Sequence, residues 1–210
     1  MSIDPAISAF ADDFAREDDV LLAARDTADE LGVRPLSPAT GAALMVLTRA
    51  ANPKTVVEVG TGVGVSGIYL LRGMNHAGVL TTIDVEPEHH KAARAAFASA
   101  GFAPERARLI TGRALDVLPR LTDGGYDLIL IDGKITEFPA YLDEARRLVR
   151  PGGMIIMTHA LARGRVADPA QRDQDTTAIR EALRSVRQSD HESSSLLPVG
   201  DGLLVVLANL

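Results

Sequence analysis

The chain has 210 residues, 46% of them hydrophobic and 24% charged, with a net charge of −6, enough for one large domain with a sizeable core. Disorder is excluded by that composition, a membrane span by the shortness of the apolar runs, and a secretory signal by acids where a basic start and an apolar middle are required. A cytoplasmic protein is expected, and without cysteine any catalysis falls to oxygen and nitrogen groups.

Between Asp12 and Glu30, the acids Asp12, Asp13, Glu17, Asp18, Asp19, Asp26, Asp29 and Glu30 stand against Arg16 and Arg25 alone, so this segment carries the whole net charge. No basic stripe suited to phosphates appears elsewhere, which points to a small-molecule substrate and away from nucleic acid. Phe10, Phe14, Val20, Leu21 and Leu22 set among these charges predict an amphipathic helix or helix pair ending at Gly32. Ser37 and Pro38 form an N-cap and first-turn proline opening a helix through Ala39 to Arg49.

From Lys54 strands and helices alternate, the signature of a parallel sheet covered on both faces. Strands are predicted at Thr55 to Val59, Val79 to Asp84, Ala107 to Thr111, Tyr126 to Asp132 and Met154 to Thr158. The intervening helices fall near Val65 to Met74, Pro87 to Ala100, Ala114 to Leu118 and Phe138 to Val149. A further helix near Thr176 to Arg187 precedes a hairpin, Ser195 to Pro198 and Leu203 to Leu207 around Gly200-Asp201-Gly202. Loose stretches are expected in the first ten residues, at Ala162 to Gln174 and at Ser189 to Ser195. No internal repeat is present, so one domain is expected over 1–210, with 1–50 a helical cap and dimerisation segment and 51–210 the cofactor-binding core.

The run Val56-Val57-Glu58-Val59-Gly60-Thr61-Gly62-Val63-Gly64-Val65-Ser66-Gly67 places glycines where the first strand turns into a helix. Missing side chains let the backbone bend and approach a ligand at the carboxyl end of the sheet. Gly62, Gly64 and Gly67 also satisfy the dinucleotide fingerprint, so the glycines alone fit either a dinucleotide or S-adenosylmethionine. The acids favour the second. Glu58 would repel a pyrophosphate but pairs with an ammonium, and Asp84, ending the second strand, can accept from a ribose diol.

With these motifs the chain resembles the S-adenosylmethionine-dependent O-methyltransferases of the catechol and caffeoyl-CoA type, from about Leu36 to the C-terminus. The resemblance implies a Rossmann-like α/β fold, a seven-stranded, mostly parallel sheet with a C-terminal antiparallel hairpin and helices on both faces. It further implies a homodimer and an N-terminal segment capping the active site. By the same resemblance Glu58, Gly60, Thr61, Gly62, Gly64 and Ser66 hold the methionine end of the cofactor, Asp84 and Val85 its ribose, and Gly112, Arg113 and Ala114 its adenine. Leu36, at the cap, and Asp132, at the end of the fourth strand, complete the cofactor-binding residues that the resemblance implies.

Most members of that family hold a divalent cation through an acid after the fourth strand and an Asp-Asn pair after the fifth. Here Asp132 matches the first position, but Thr158-His159 replaces the pair, and one carboxylate, one hydroxyl and one imidazole suit magnesium or calcium poorly. No metal ligands are therefore assigned. The family's lysine position is Ile135, with Lys134 one residue earlier. Asp132, His159 and Lys134 are the catalytic candidates, with His159 the expected base because an imidazole titrates near pH 7 and an unperturbed phenol near 10. Asp132 could also accept from the cofactor's ammonium. His76, His89, His90 and His191 are expected on the surface. The expected activity is methyl transfer to a hydroxyl of a small molecule. The alternatives are a cofactor-binding module without transferase activity and, further off, a nicotinamide-dependent oxidoreductase.

Overall fold

Three helices precede the sheet in the computed structural model, which describes residues 5–208. The chain is helical from Pro5 in α1 (Pro5–Phe14), which corrects the loose start expected for the first ten residues; residues 1–4 lie outside the described ones. The segment to Leu31 is a helix pair, because α2 (Asp19–Leu31) starts afresh on Asp18, whose side chain accepts from the Leu21 N–H, and stops at Gly32 with φ +67°. Ser37 caps α3 (Pro38–Ala51) through the Thr40 N–H.

Part of the acidic segment is structural. Glu17 accepts from Arg25 at 2.5 and 2.7 Å and from the Tyr69 hydroxyl at 2.6 Å. Asp12 accepts from the Ala39 N–H at 2.9 Å, and Asp18 pairs with Arg72 at 2.6 Å. These acids fasten the N-terminal helices onto the domain.

The alternating part runs β1 (Thr55–Val59), α4 (Val65–Gly73), β2 (Val79–Asp84), α5 (Pro87–Ser99), β3 (Ala107–Thr111), α6 (Ala114–Val117), β4 (Tyr126–Ile131), α7 (Phe138–Leu148), β5 (Val149–Met157), α8 (Gln174–Arg187), β6 (Glu192–Leu197) and β7 (Leu203–Ala208). The seven strands lie in the order β3-β2-β1-β4-β5-β7-β6, parallel through β5, with β7 antiparallel between β5 and β6. This is the sheet and hairpin expected from the sequence.

Three further stretches differ in kind or by three residues or more. β5 begins at Val149 and not Met154, because Val149 already pairs with Tyr126 and Arg150-Pro151-Gly152-Gly153, with Gly152 at φ +71°, forms an irregularity before pairing resumes between Leu128 and Met154. β6 begins at Glu192, inside a stretch expected to be loose, since backbone pairing with β7 continues to Ala208. The loose stretch from Ala162 holds a 3-10 segment, Ala162–Ala167, interrupted by left-handed Arg163 and Gly164, and α8 already starts at Gln174 on an Asp173 cap.

Strand side chains alternate between two cores. Val57, Val59, Ile129, Ile131, Ile155 and Met157 pack under α7 and α8, whereas Val56, Leu80, Leu128, Leu130 and Ile156 pack under α2, α3, α4 and α5. Glu58 lies on the second face at 0% exposure. Strand order reverses between β1 and β4, so the crevice at their carboxyl ends is where an open α/β sheet binds ligands. Among the described residues, no helix is long and apolar enough to cross a membrane.

Candidate active site

That crevice is a cavity of about 570 Å³, the size of a small-molecule site. One wall is the turn after β1, with Gly60, Thr61, Gly62 and Ser66 on it; Asp84, Val85, Gly112, Arg113 and Ala114 form the far end. Leu36, Asp132, Lys134 and His159 close it from above. Of the candidates, Glu58 and Gly64 lie outside this lining.

The turn is built for close approach. Gly60 has φ +95°, and a Cβ there would sit 2.4 Å from the Asp132 carbonyl oxygen, so any side chain would push β1 and β4 apart. The Gly62 N–H donates to Asp84 Oδ2 at 2.9 Å, tying the turn to the end of β2. Asp84 Oδ1 accepts from the Glu86 N–H at 3.0 Å and meets His89 Nδ1 at 3.2 Å. His89 lines the cavity, a correction to its expected surface position, because the first turn of α5 folds back over the carboxylate.

Glu58 lies behind Ser66, whose hydroxyl donates to Oε1 at 2.5 Å. Its Oε2 is buried and has no hydrogen-bond partner among the described residues. Burial pushes the carboxyl up to about 8, against the pull of Ser66 and Thr82. A buried carboxylate oxygen without a partner is costly, and a ligand cation would relieve it.

Opposite, His159 stands between two carboxylates. Its Nε2 is 3.4 Å from Asp132 Oδ1 and its Nδ1 3.1 Å from Asp201 Oδ2, and Thr158 donates to the same Asp132 oxygen. Asp132 first, then Asp201, raise the imidazole to about 10 despite burial. His159 is therefore an imidazolium at neutral pH, which corrects the expectation of a base near 7. Asp201 also accepts from the Arg163 N–H, and the Leu161 and Ala160 N–H groups donate to the carbonyls of Asp201 and Gly202 at 2.9 and 3.1 Å. These bonds hold a loop in which His159, Ala162 and Arg163 all have left-handed backbone, φ +54°, +47° and +54°.

The same cluster tests the metal position. Asp132 is already engaged by a hydroxyl and a cation, and no group of three His, Cys, Asp or Glu among the described residues could hold a metal ion. The donors do not fit the family's divalent cation. Lys134 is exposed at the cavity mouth and pairs with Glu137 at 3.5 Å, a residue that also accepts from Tyr141 at 2.7 Å.

Several contributors escaped the sequence. Asp201 reads as a turn residue between glycines, and Glu137 and Tyr141 as an ordinary helix start. His90, expected on the surface, is 5% exposed beneath the glycine turn because α5 lies directly on β2 and β3. A second cavity of about 490 Å³ shares Val33, Arg34, Pro35, Leu36 and His159 with the first and adds Arg25, Asp29, Arg163 and Asp201.

Residues 16–209 match the family model described as O-methyltransferase. A relative in Mycobacteroides abscessus, whose name also places it among the O-methyltransferases, is 49% identical over 199 residues, 95% of this chain and 93% of that protein. The fold matches a crystal structure from Corynebacterium glutamicum with TM-score 0.90 and 31% identity, covering 98% and 96% of the two chains. An O-methyltransferase from Bacillus cereus, solved with S-adenosylhomocysteine, matches with TM-score 0.87 at 26% identity, covering 97% of each.

Proposed function

This chain belongs to the O-methyltransferase family and is an enzyme that transfers methyl groups, and we propose that its cavity holds S-adenosylmethionine beside a small hydroxyl acceptor. The observation that carries this reading is the unpartnered Glu58 Oε2 behind a turn that would accept no side chain at Gly60. The cofactor supplies an electrophilic methyl group on a sulfonium.

Glu58 and Ser66 would hold the ammonium and carboxylate end, the turn Gly60, Thr61, Gly62 and Gly64 gives the backbone room, Asp84 and Val85 receive the ribose, and Gly112, Arg113 and Ala114 flank the adenine. Asp84 arrives preset by the Gly62 and Glu86 N–H groups, so little ordering is left for binding.

The acceptor takes the second cavity, with His159 at the junction. The imidazolium stabilises negative charge developing on the acceptor oxygen, and Asp132, a hydrogen-bond acceptor at the same point, receives the hydroxyl proton. Alignment of the two cavities supplies the remaining acceleration. No step uses a metal ion. Lys134, turned to solvent and paired with Glu137, raises the positive potential at the mouth.

The three N-terminal helices form the cap, since Val33 to Leu36 line both cavities. A second copy would cover α1, whose Ile7, Phe10 and Phe14 are 63%, 74% and 82% exposed. Light scattering tests the homodimer, and cell fractionation the cytoplasmic location.

The test of function is calorimetric titration with S-adenosylhomocysteine and with NADH, followed by turnover of S-adenosylmethionine on a panel of phenols and catechols. Binding of S-adenosylhomocysteine, no binding of NADH and a methylated product support the reading. Binding without turnover across the panel would favour a cofactor-binding module.

A further inference from the structure

Four non-glycine residues among those described have left-handed backbone, and three of them, His159, Ala162 and Arg163, belong to the loop between β5 and α8. At Arg163, with φ +54° and ψ +39°, a glycine would relieve the strain, as Gly164 does beside it at φ +83°. The arginine side chain takes no part in holding this loop. It is tied by backbone N–H groups, that of Arg163 to the Asp201 carboxylate, that of Ala162 to the His159 carbonyl at 3.0 Å and that of Gly164 to the Leu161 carbonyl at 2.8 Å. Because Asp201 also pairs with His159, one carboxylate sets both residues at the second cavity.

The charges of that cavity are unequal. Arg25 is committed to Glu17, and Asp201 to His159 and the Arg163 N–H. The guanidiniums of Arg34 and Arg163 remain, exposed and without a hydrogen bond or ion pair among the described residues, against the exposed carboxylate of Asp29. The Arg163 guanidinium reaches Asp201 only through its charge. In a chain of net charge −6, a cavity with a surplus of free cations runs against the overall field.

We propose that the methyl acceptor carries an anionic group, a carboxylate or a phosphate, which Arg163 grips while the acceptor hydroxyl lies at His159, with Arg34 as the second cation. Arg163 is then a specificity-determining residue. Its guanidinium is a planar fork of donors that matches two oxygens of one carboxylate or phosphate, whereas a neutral or cationic end would leave both arginines unanswered. The inference rests on the second cavity as the acceptor's place.

The test uses full-length protein saturated with S-adenosylhomocysteine and four catechols that carry a methyl, carboxymethyl, phosphonomethyl or aminomethyl group at the same ring position. The methylene separates the charge from the ring, so the hydroxyls stay comparable across the set. Calorimetry should show at least one of the two anionic compounds binding about tenfold or more tightly than the methyl compound, and the aminomethyl compound weakest. The tighter of the two anions distinguishes carboxylate from phosphate. Turnover with S-adenosylmethionine should show the preference in KM and not in kcat, because the anion is held equally before and during transfer.

Arg163→Gly removes the guanidinium and the strain together, so it should unfold at the same temperature or higher while the preference for the anion over the methyl compound falls about tenfold. Arg163→Gln, which keeps the strained backbone, should lose the preference equally. An unchanged preference in both variants would overturn the proposal. So would equal affinity for the methyl and anionic compounds, tightest binding of the aminomethyl compound, or no binding of any of the four to protein that holds S-adenosylhomocysteine. Failure to bind S-adenosylhomocysteine would instead remove the reading of the first cavity, and binding of the anionic catechols to the unliganded protein, present in the parent and lost in Arg163→Gln, would still decide the role of Arg163.

Discussion

His159 Nδ1 and Asp201 Oδ2 meet at 3.1 Å across the gap between the end of β5 and the hairpin turn. The contact sets a charge and a shape together, because the same carboxylate accepts from the N–H of left-handed Arg163. Asp201 is itself held below the ordinary carboxylate range: burial raises it, but the bonds from His159 and the Arg163 N–H outweigh that.

Asp201→Asn should therefore lower the His159 titration midpoint by about one unit or more and loosen the loop, with a stability loss of about 1–2 kcal/mol. NMR titration of the ring and chemical denaturation measure the two effects. An unchanged midpoint would show that Asp132 alone fixes the charge.

Stability should depend on pH in a window set by His159. Its folded value of about 10 lies above the ordinary 6.5, so the contribution is complete below 6.5 and is lost as pH rises toward 10. With the side chain 31% exposed, the loss is expected on the order of 1–2 kcal/mol. Urea unfolding at pH 8 and 10.5 should show it, and His159→Gln should flatten the slope.

Glu58 creates a second window of similar sign and different origin. Burial raises its carboxyl from 4.5 to about 8, so the folded chain holds the proton longer than the unfolded one, and stability falls as pH rises from 4.5 through 8. Glu58→Gln should be more stable than the parent at pH 9 by about 1–3 kcal/mol and bind S-adenosylhomocysteine about 10–100-fold more weakly. Tight binding by that variant would separate Glu58 from the ammonium.

Methyl transfer should persist in EDTA, with added magnesium changing the rate by less than about twofold, because Asp132 is committed to Thr158 and His159. A catechol acceptor, held through one oxygen and not chelated through two, should yield both regioisomers. Loss of turnover in EDTA, or one pure isomer in its presence, would restore a cation to the site.

Much of the site was legible because its signals are local. Alternating apolar runs mark strands, the glycines from Gly60 to Gly67 mark the turn, and acids at strand ends mark Glu58 and Asp84. Gly200-Asp201-Gly202 announced a hairpin, and Thr158-His159 in place of two acidic or amide ligands announced a poor metal position.

What a residue does once placed was decided elsewhere. The charge of His159 depends on Asp201, 42 residues away, and the burial of Glu58 depends on which face of β1 meets α4. His90 looked like a surface residue because its partners Thr61 and Thr111 lie 29 and 21 residues off, on separate segments. Periodicity and turn chemistry are short-range properties of the chain, so the sequence by itself determined strands, turns and the family. Ionisation depends on desolvation and on charges brought together from distant segments, so only the tertiary structure decided that His159 is a cation, that the Glu58 carboxyl is pushed up by burial and that His90 is buried beneath the glycine turn.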